Sequence, residues 1–207
     1  VYVPEQEEID EFLPKRKPMW RLDVDNPVTF GNIILPAEYG KVRRDMQRAQ
    51  EYAKKYIPEL MKEWKEKFGR YHGDLVEKYR CEDAEYILLA MGAIGAESKV
   101  AIDNMRENGL KIGLARIRVF RPFPREDIIE LGRQADLIVI DRNISVGLEG
   151  ALASEVKSAL YGNSDAKVYA FIAGLGGKDV TYKDIERMCK KIMDGKGKTM
   201  EWYGLEE

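Results

Sequence analysis

Tyr86-Ile87-Leu88-Leu89-Ala90-Met91, followed by Gly92-Ala93-Ile94-Gly95, is the stretch whose reading decides the fold. The six apolar residues do not alternate with polar ones, which is the pattern of a parallel strand covered on both faces. Gly92 and Gly95 let the backbone turn closely into a helix predicted over residues 94–108. That helix carries the stripe Ile94, Ala101, Ile102 and Met105, with Gly109 suited to the left-handed position beyond its end. A second strand is expected over 112–119. Its apolar residues are interrupted by Arg116 and Arg118, so one face of its far end should meet solvent or another chain. An acid-started helix from Glu126 follows, then Asp136-Leu137-Ile138-Val139-Ile140-Asp141 as a third strand. Residues 85–141 thus read strand, helix, strand, helix, strand. Two crossovers of this kind predict an open, mostly parallel sheet of about five strands with helices on both faces, an α/β layered domain.

Outward from this centre the chain changes character. Residues 1–37 carry Pro4, Pro14, Pro18, Pro27 and Pro36 among charged residues and read as an extended arm or linker. Its apolar Phe12, Leu13, Trp20 and Phe30 would need another surface to pack on. Residues 38–70 are expected to form a long amphipathic helical region, with Tyr39, Val42, Met46, Ala49, Ala53, Tyr56, Leu60, Trp64 and Phe68 at helical spacing and Pro58 expected to kink or split it. Such an aromatic and Met stripe is core or interface far more often than a ligand box. The α/β domain is placed at 71–195, with Leu75-Val76-Glu77-Lys78-Tyr79 as a candidate edge strand. Residues 167–173 form a further strand, and Thr181 with Asp184 marks a capping-box helix start. Residues 196–207 are a short tail whose Trp202 and Tyr203 can fold back.

Bulk properties narrow the function. The 207 residues are 44% hydrophobic, enough for one full core and an appendage. A net charge of −2 with both signs interspersed calls for neither nucleic acid nor an anionic membrane. The absence of an 18-residue apolar run or an opening signal peptide points to a soluble, cytoplasmic protein. Cys81 and Cys189 stand far apart without C-x-x-C spacing, so they offer no zinc or iron–sulfur ligand set and are expected to be small buried hydrophobes. The 34% of charged residues exceeds the roughly 25% of ordinary domains, a bias associated with heat-adapted proteins.

Three loops leave the carboxyl ends of predicted parallel strands, 92–95, 142–150 and 174–177, and that edge is where open α/β sheets bind ligands. Gly147, Gly150, Gly174, Gly176 and Gly177 are the ligand-loop or interface candidates there. The first loop lacks G-x-G-x-x-G and the second strand has no acid at its tip, which argues against a dinucleotide. Arg121 and Arg142 lie just past strand ends, where a fixed cation could hold a phosphate or carboxylate; the plainer expectation is an ion pair with Asp141 or with a partner chain. His72, the sole histidine, has no local partner for catalysis and is expected at the surface or an interface. Asp83 and Glu85 do not form an acid/base pair with assigned roles. From the residues alone, the chain reads as a non-catalytic module with interaction surfaces.

Several stretches together carry a family likeness: Leu22-Asp23-Val24-Asp25-Asn26-Pro27, Arg118-Val119-Phe120-Arg121-Pro122-Phe123-Pro124, Ile140-Asp141-Arg142-Asn143-Ile144-Ser145-Val146-Gly147, and Gly174-Leu175-Gly176-Gly177-Lys178-Asp179. In this order, with Phe68-Gly69-Arg70 and Glu82-Asp83-Ala84-Glu85 between them, they resemble the C-terminal part of the alpha subunit of pyruvate:ferredoxin oxidoreductase. The resemblance implies a transketolase C-terminal-like domain in a complex that decarboxylates pyruvate, reduces ferredoxin through [4Fe–4S] clusters and passes the acetyl group to coenzyme A. It further implies that thiamine diphosphate, Mg²⁺ and the clusters are held elsewhere in the assembled enzyme, that this chain alone binds none of them and is inactive, and that an N-terminal alpha domain is missing here. The implied partners are that domain, the other subunits, and ferredoxin, with pyruvate and CoA as substrates of the complex. No catalytic, cofactor-binding or metal-binding residue is carried over to this chain. Two alternatives stay open: the same role with 2-oxoglutarate, a branched-chain 2-oxoacid or indolepyruvate as substrate, and a stand-alone α/β module binding a nucleotide or CoA.

Overall fold

The computed structural model describes residues 3–31 and 33–205. Val1, Tyr2, Asn32, Glu206 and Glu207, which fall in the expected arm and tail, lie outside the described residues. The chain divides into two compact units, Val1–Tyr71 and His72–Glu207.

In the first unit the arm is not wholly extended: it contains helix α1, Gln6–Phe12. The local cause is a capping box, in which Glu8 accepts from the Glu5 backbone at 2.9 Å. The decisive cause is tertiary. Phe12 meets Trp64 and Phe68 edge-on, each with centroids 5.5 Å apart, and Glu11 pairs with Lys67. The partners lie in α2, Pro36–Phe68, which starts on a proline at its first turn and ends at Gly69 in the left-handed conformation. Pro58 does not split this helix, which runs through it for 33 residues. Ile57, Leu60 and Trp64 are half-buried on one face beyond and before the proline, so packing offsets the hydrogen bond Pro58 cannot make.

The second unit is a six-stranded sheet among the described residues, in the order β1-β3-β2-β4-β5-β6. The strands are β1 Val76–Tyr79, β2 Tyr86–Met91, β3 Ile112–Ile117, β4 Asp136–Asp141, β5 Val168–Ile172 and β6 Met200–Trp202. All neighbouring pairs are parallel except β1 with β3. The helices are α3 Gly92–Glu107, α4 Arg125–Gln134, α5 Ala151–Leu160 and α6 Tyr182–Met193. Helices α3 and α6 pack together, as do α4 and α5. The register sets Leu88 of β2 between Leu114 and Ile138, all fully buried. These residues join Ile102, Met105, Phe171, Ile185 and Met188 in one core layer. Alternation leaves Ile87, Leu89, Leu137 and Val139, also fully buried, for the opposite face. The unbroken apolar runs are thus explained by cover on both sides.

Two departures from expectation have visible causes. The sheet has a sixth strand because residues 200–202 of the expected tail pair with Ala170–Ile172. And β3 ends at Ile117 because the amides of Arg118 and Val119 both turn to the carbonyl of Leu75, at 2.9 and 3.1 Å. At α6 the expected capping box is present: Thr181 and Asp184 exchange side-chain and backbone bonds, and Tyr203 and Arg187 also reach Asp184. The Thr181 hydrogen bonds hold the Asp184 carboxyl below its ordinary range. Thr181→Ala is expected to cost about 1 kcal/mol in urea unfolding with unchanged slope.

Candidate functional site

Taken alone, the parallel strands run in the order β3-β2-β4-β5-β6. After β2 the chain steps to one side to build β3, then returns past β2 to build β4. The switch point, where open α/β sheets bind ligands, lies between the carboxyl ends of β2 and β4. Of the three expected loops, 92–95 is instead the first turn of α3, which follows β2 directly at Gly92; 142–150 leaves β4 at the switch point, and 174–177 follows β5 along the same edge.

Asp141, the last residue of β4, organises this edge. It is fully buried, and its carboxylate accepts from the backbone amides of Leu152 at 3.0 Å and Ala153 at 2.9 Å and from Asn143 Nδ2 at 3.1 Å. Asn143 in turn accepts from the amide of Ala151 at 2.9 Å. The first amides of α5 are therefore satisfied by β4 and its loop rather than by a residue at the helix start. Burial pushes the Asp141 carboxyl above its ordinary value, against the lowering effect of its three donors. A helix N-terminus is the natural seat for a phosphate, but here a side-chain carboxylate occupies it.

The other predicted residues fall around this clasp. Gly150 precedes α5 and presses against Asp141, leaving no room for a Cβ. Gly147 lies in the turn over residues 145–148, where Leu148 donates to the Ser145 carbonyl at 2.9 Å. Arg142 does not pair with Asp141. Its Nε donates to the Gly174 carbonyl at 2.9 Å and its guanidinium reaches the Lys178 carbonyl at 3.4 Å, stapling the glycine loop. Gly174, Gly176 and Gly177 all have positive φ, which lets this loop fold back far enough to be stapled. Lys178 closes the far side through the Gly204 carbonyl, just past β6. Arg121 stands apart from this group: it pairs with Glu155 on α5 and lies over the Phe120 ring at 4.3 Å. The structure thus joins Arg142 to the 174–177 loop and Gly150 to Asp141. The sequence marks Asp141 only as a possible ion-pair partner of Arg142; the signal for its capping role is an acid at a strand end ahead of a helix preceded by glycine.

This arrangement positions backbone; it does not pair a nucleophile with a base. Among the described residues no group of three or more His, Cys, Asp or Glu could hold a metal ion. Cys81 and Cys189 are both buried and free. Burial pushes the Cys189 thiol up to about 12. With its first amides taken up by Asp141 and Asn143, the α5 N-terminus offers them to no diphosphate. His72 is exposed. No helix among the described residues is long and apolar enough to cross a membrane.

Residues 84–185 match the family described as pyruvate:ferredoxin oxidoreductase core domain II. The chain is 41% identical, over 97% of its length, to the ketoisovalerate oxidoreductase subunit VorA of Pyrococcus abyssi. It is 40% identical over its full length to the pyruvate synthase subunit PorA of Methanothermobacter thermautotrophicus, and 38% identical over 99% to PorA of Pyrococcus furiosus. It spans about half the length of these curated relatives, 53%, 53% and 54% respectively. The matched segment runs from the turn before β2 into α6, the stretch that holds the switch point and the Asp141 clasp, and the chain belongs to the pyruvate:ferredoxin oxidoreductase family through this core domain II.

Proposed function

We propose that this chain supplies a structural and subunit-contact domain to a 2-oxoacid:ferredoxin oxidoreductase acting on pyruvate, with bond-breaking carried out by groups held on other polypeptide. The observation that carries the reading lies at the carboxyl edge beside the switch point: the α5 N-terminus is taken up by the chain's own Asp141, and Arg142 staples the 174–177 loop. The relatives' names, which describe subunits, support the multi-chain setting. In this reading thiamine diphosphate, Mg²⁺ and [4Fe–4S] clusters reside in the partner subunits. Pyruvate, CoA and ferredoxin are handled by the assembled enzyme in the cytoplasm.

The test is reconstitution. The purified chain alone should bind no thiamine diphosphate and reduce no viologen with pyruvate and CoA; combined with the remaining polypeptides of the enzyme, it should be required for that reduction. Activity from the chain by itself, or full activity without it, would refute the proposal. A second substrate reading rests on the near-equal identity to a ketoisovalerate and a pyruvate enzyme subunit, 41% and 40%. Competition between pyruvate and 2-oxoisovalerate on the assembled enzyme decides it, pyruvate being expected to give the higher kcat/KM.

A further inference from the structure

Helix α2 has no buried residue along its 33 positions, and its two faces differ in chemistry. Val42, Ala53, Ile57, Leu60, Trp64 and Phe68 are half-buried along one face. Roughly opposite, at spacings of three and four, run Lys41, Arg44, Arg48, Tyr52 and Lys55, all exposed. Between residues 41 and 55 there are six cationic side chains and two carboxylates, Asp45 and Glu51. Asp45 lies 3.9 Å from Arg44 and 3.7 Å from Arg48, while Glu51 accepts from Gln47. Four of the six cations, Lys41, Arg44, Arg48 and Lys55, lie on this stripe, so a chain of net charge −2 presents positive charge along it. Tyr52 is 70% exposed within the stripe and stacks on Tyr56, with centroids 6.3 Å apart and planes 11° apart, so its ring is held in place before any partner arrives.

We propose that this stripe is a docking surface for a protein partner that presents a row of carboxylates about 20 Å long, the span of Lys41 to Lys55 at the helical rise. Tyr52 is the aromatic anchor, the residue type enriched at interface hot spots. An anionic membrane fits less well: an interfacial helix buries its apolar face in lipid, whereas here the apolar face is already half-covered and the cations lie opposite it. A duplex nucleic acid fits less well, because the rest of the chain is acidic and the positive field is confined to one stripe. The inference stands independently of the enzyme to which the chain belongs.

The experiment uses the full chain and a fluorescein-labelled synthetic helical peptide of about 21 residues, with glutamates at heptad spacing on one face, read by anisotropy. Binding at 50 mM salt should weaken at least tenfold at 300 mM. The variant K41E/R44E/R48E/K55E should lose at least thirtyfold, and Tyr52→Ala about tenfold. A control carrying the same charge change on exposed lysines elsewhere, K167E/K183E/K196E/K198E, should lose less than threefold. Circular dichroism checks that α2 is retained, and the corresponding glutamine variant replaces the glutamate one if it is not. The proposal is overturned by no binding at 50 mM salt or by equal loss in the control. It is equally overturned if a 20-base-pair DNA duplex or a vesicle containing 30% phosphatidylserine binds more tightly through the same residues.

Discussion

Asp141→Ala is expected to lower the unfolding free energy of the α/β unit by about 4 kcal/mol, moving its urea midpoint by about 2 M. The carboxylate is fully buried and satisfies two α5 amides and the Asn143 side chain. Its removal strands the two buried α5 amides and unpairs the half-buried Asn143 side chain, and each buried donor left unpaired costs about 1–3 kcal/mol. Asp141→Asn keeps the shape but turns an amide NH₂ toward a backbone N–H, so about 2 kcal/mol is expected. The pH dependence separates charge from shape. The folded carboxyl titrates above its ordinary value of 3.8, so the folded state holds this proton to higher pH than the unfolded state does. The stabilisation tied to that proton is complete below the unfolded pKa and is lost as pH rises through the folded one. The stability difference between the wild type and Asp141→Asn should therefore shrink as pH rises from about 3.8. A difference that grew with pH would show that the donors outweigh burial.

What the sequence reveals and what it conceals follow from the range of the interactions involved. Residues 86–91 and 136–141 announce themselves because cover on both faces demands unbroken apolar runs, and the structure ends both strands where the runs end. Thr181 and Asp184 are legible because a capping box closes within three residues. Helix α1 hides among prolines because its stability comes from Phe12 meeting Trp64 and Phe68, more than fifty residues away. Strand β6 hides because three half-exposed residues acquire meaning only beside β5. The clasp was half visible. Its glycines and Arg142 stand out in the sequence, but the cap of α5 comes from an acid 11 residues before Leu152 rather than from the helix start. Likewise Arg142, which invites an anion, spends its donors on carbonyls whose positions depend on Gly174 being left-handed.

Gly150→Ala should cost about 3 kcal/mol, and the reason is space rather than backbone freedom. At φ −62 and ψ 146 Gly150 sits in a conformation open to any residue. A Cβ there would overlap the Oδ2, Cγ and Cβ atoms of Asp141, and Asp141 cannot swing aside because three donors pin its carboxylate. The strain must instead separate α5 from β4, so the amides of Leu152 and Ala153 should exchange hydrogen faster than in the wild type. Gly147→Ala provides the contrast: its Cβ would meet open space, and only the positive φ of 89° opposes it, at about 1 kcal/mol. If the overlap with the carboxylate is the cause, the costs of Gly150→Ala and Asp141→Ala cannot add, since removing the carboxylate removes two of the three overlapping atoms. The double variant should be more stable than the sum of the single losses predicts by at least about 1 kcal/mol. Additivity within about 0.4 kcal/mol would place the origin of the Gly150 effect outside the clasp. A coupling of the expected sign would show that one buried carboxylate both caps α5 and dictates the residue that precedes it.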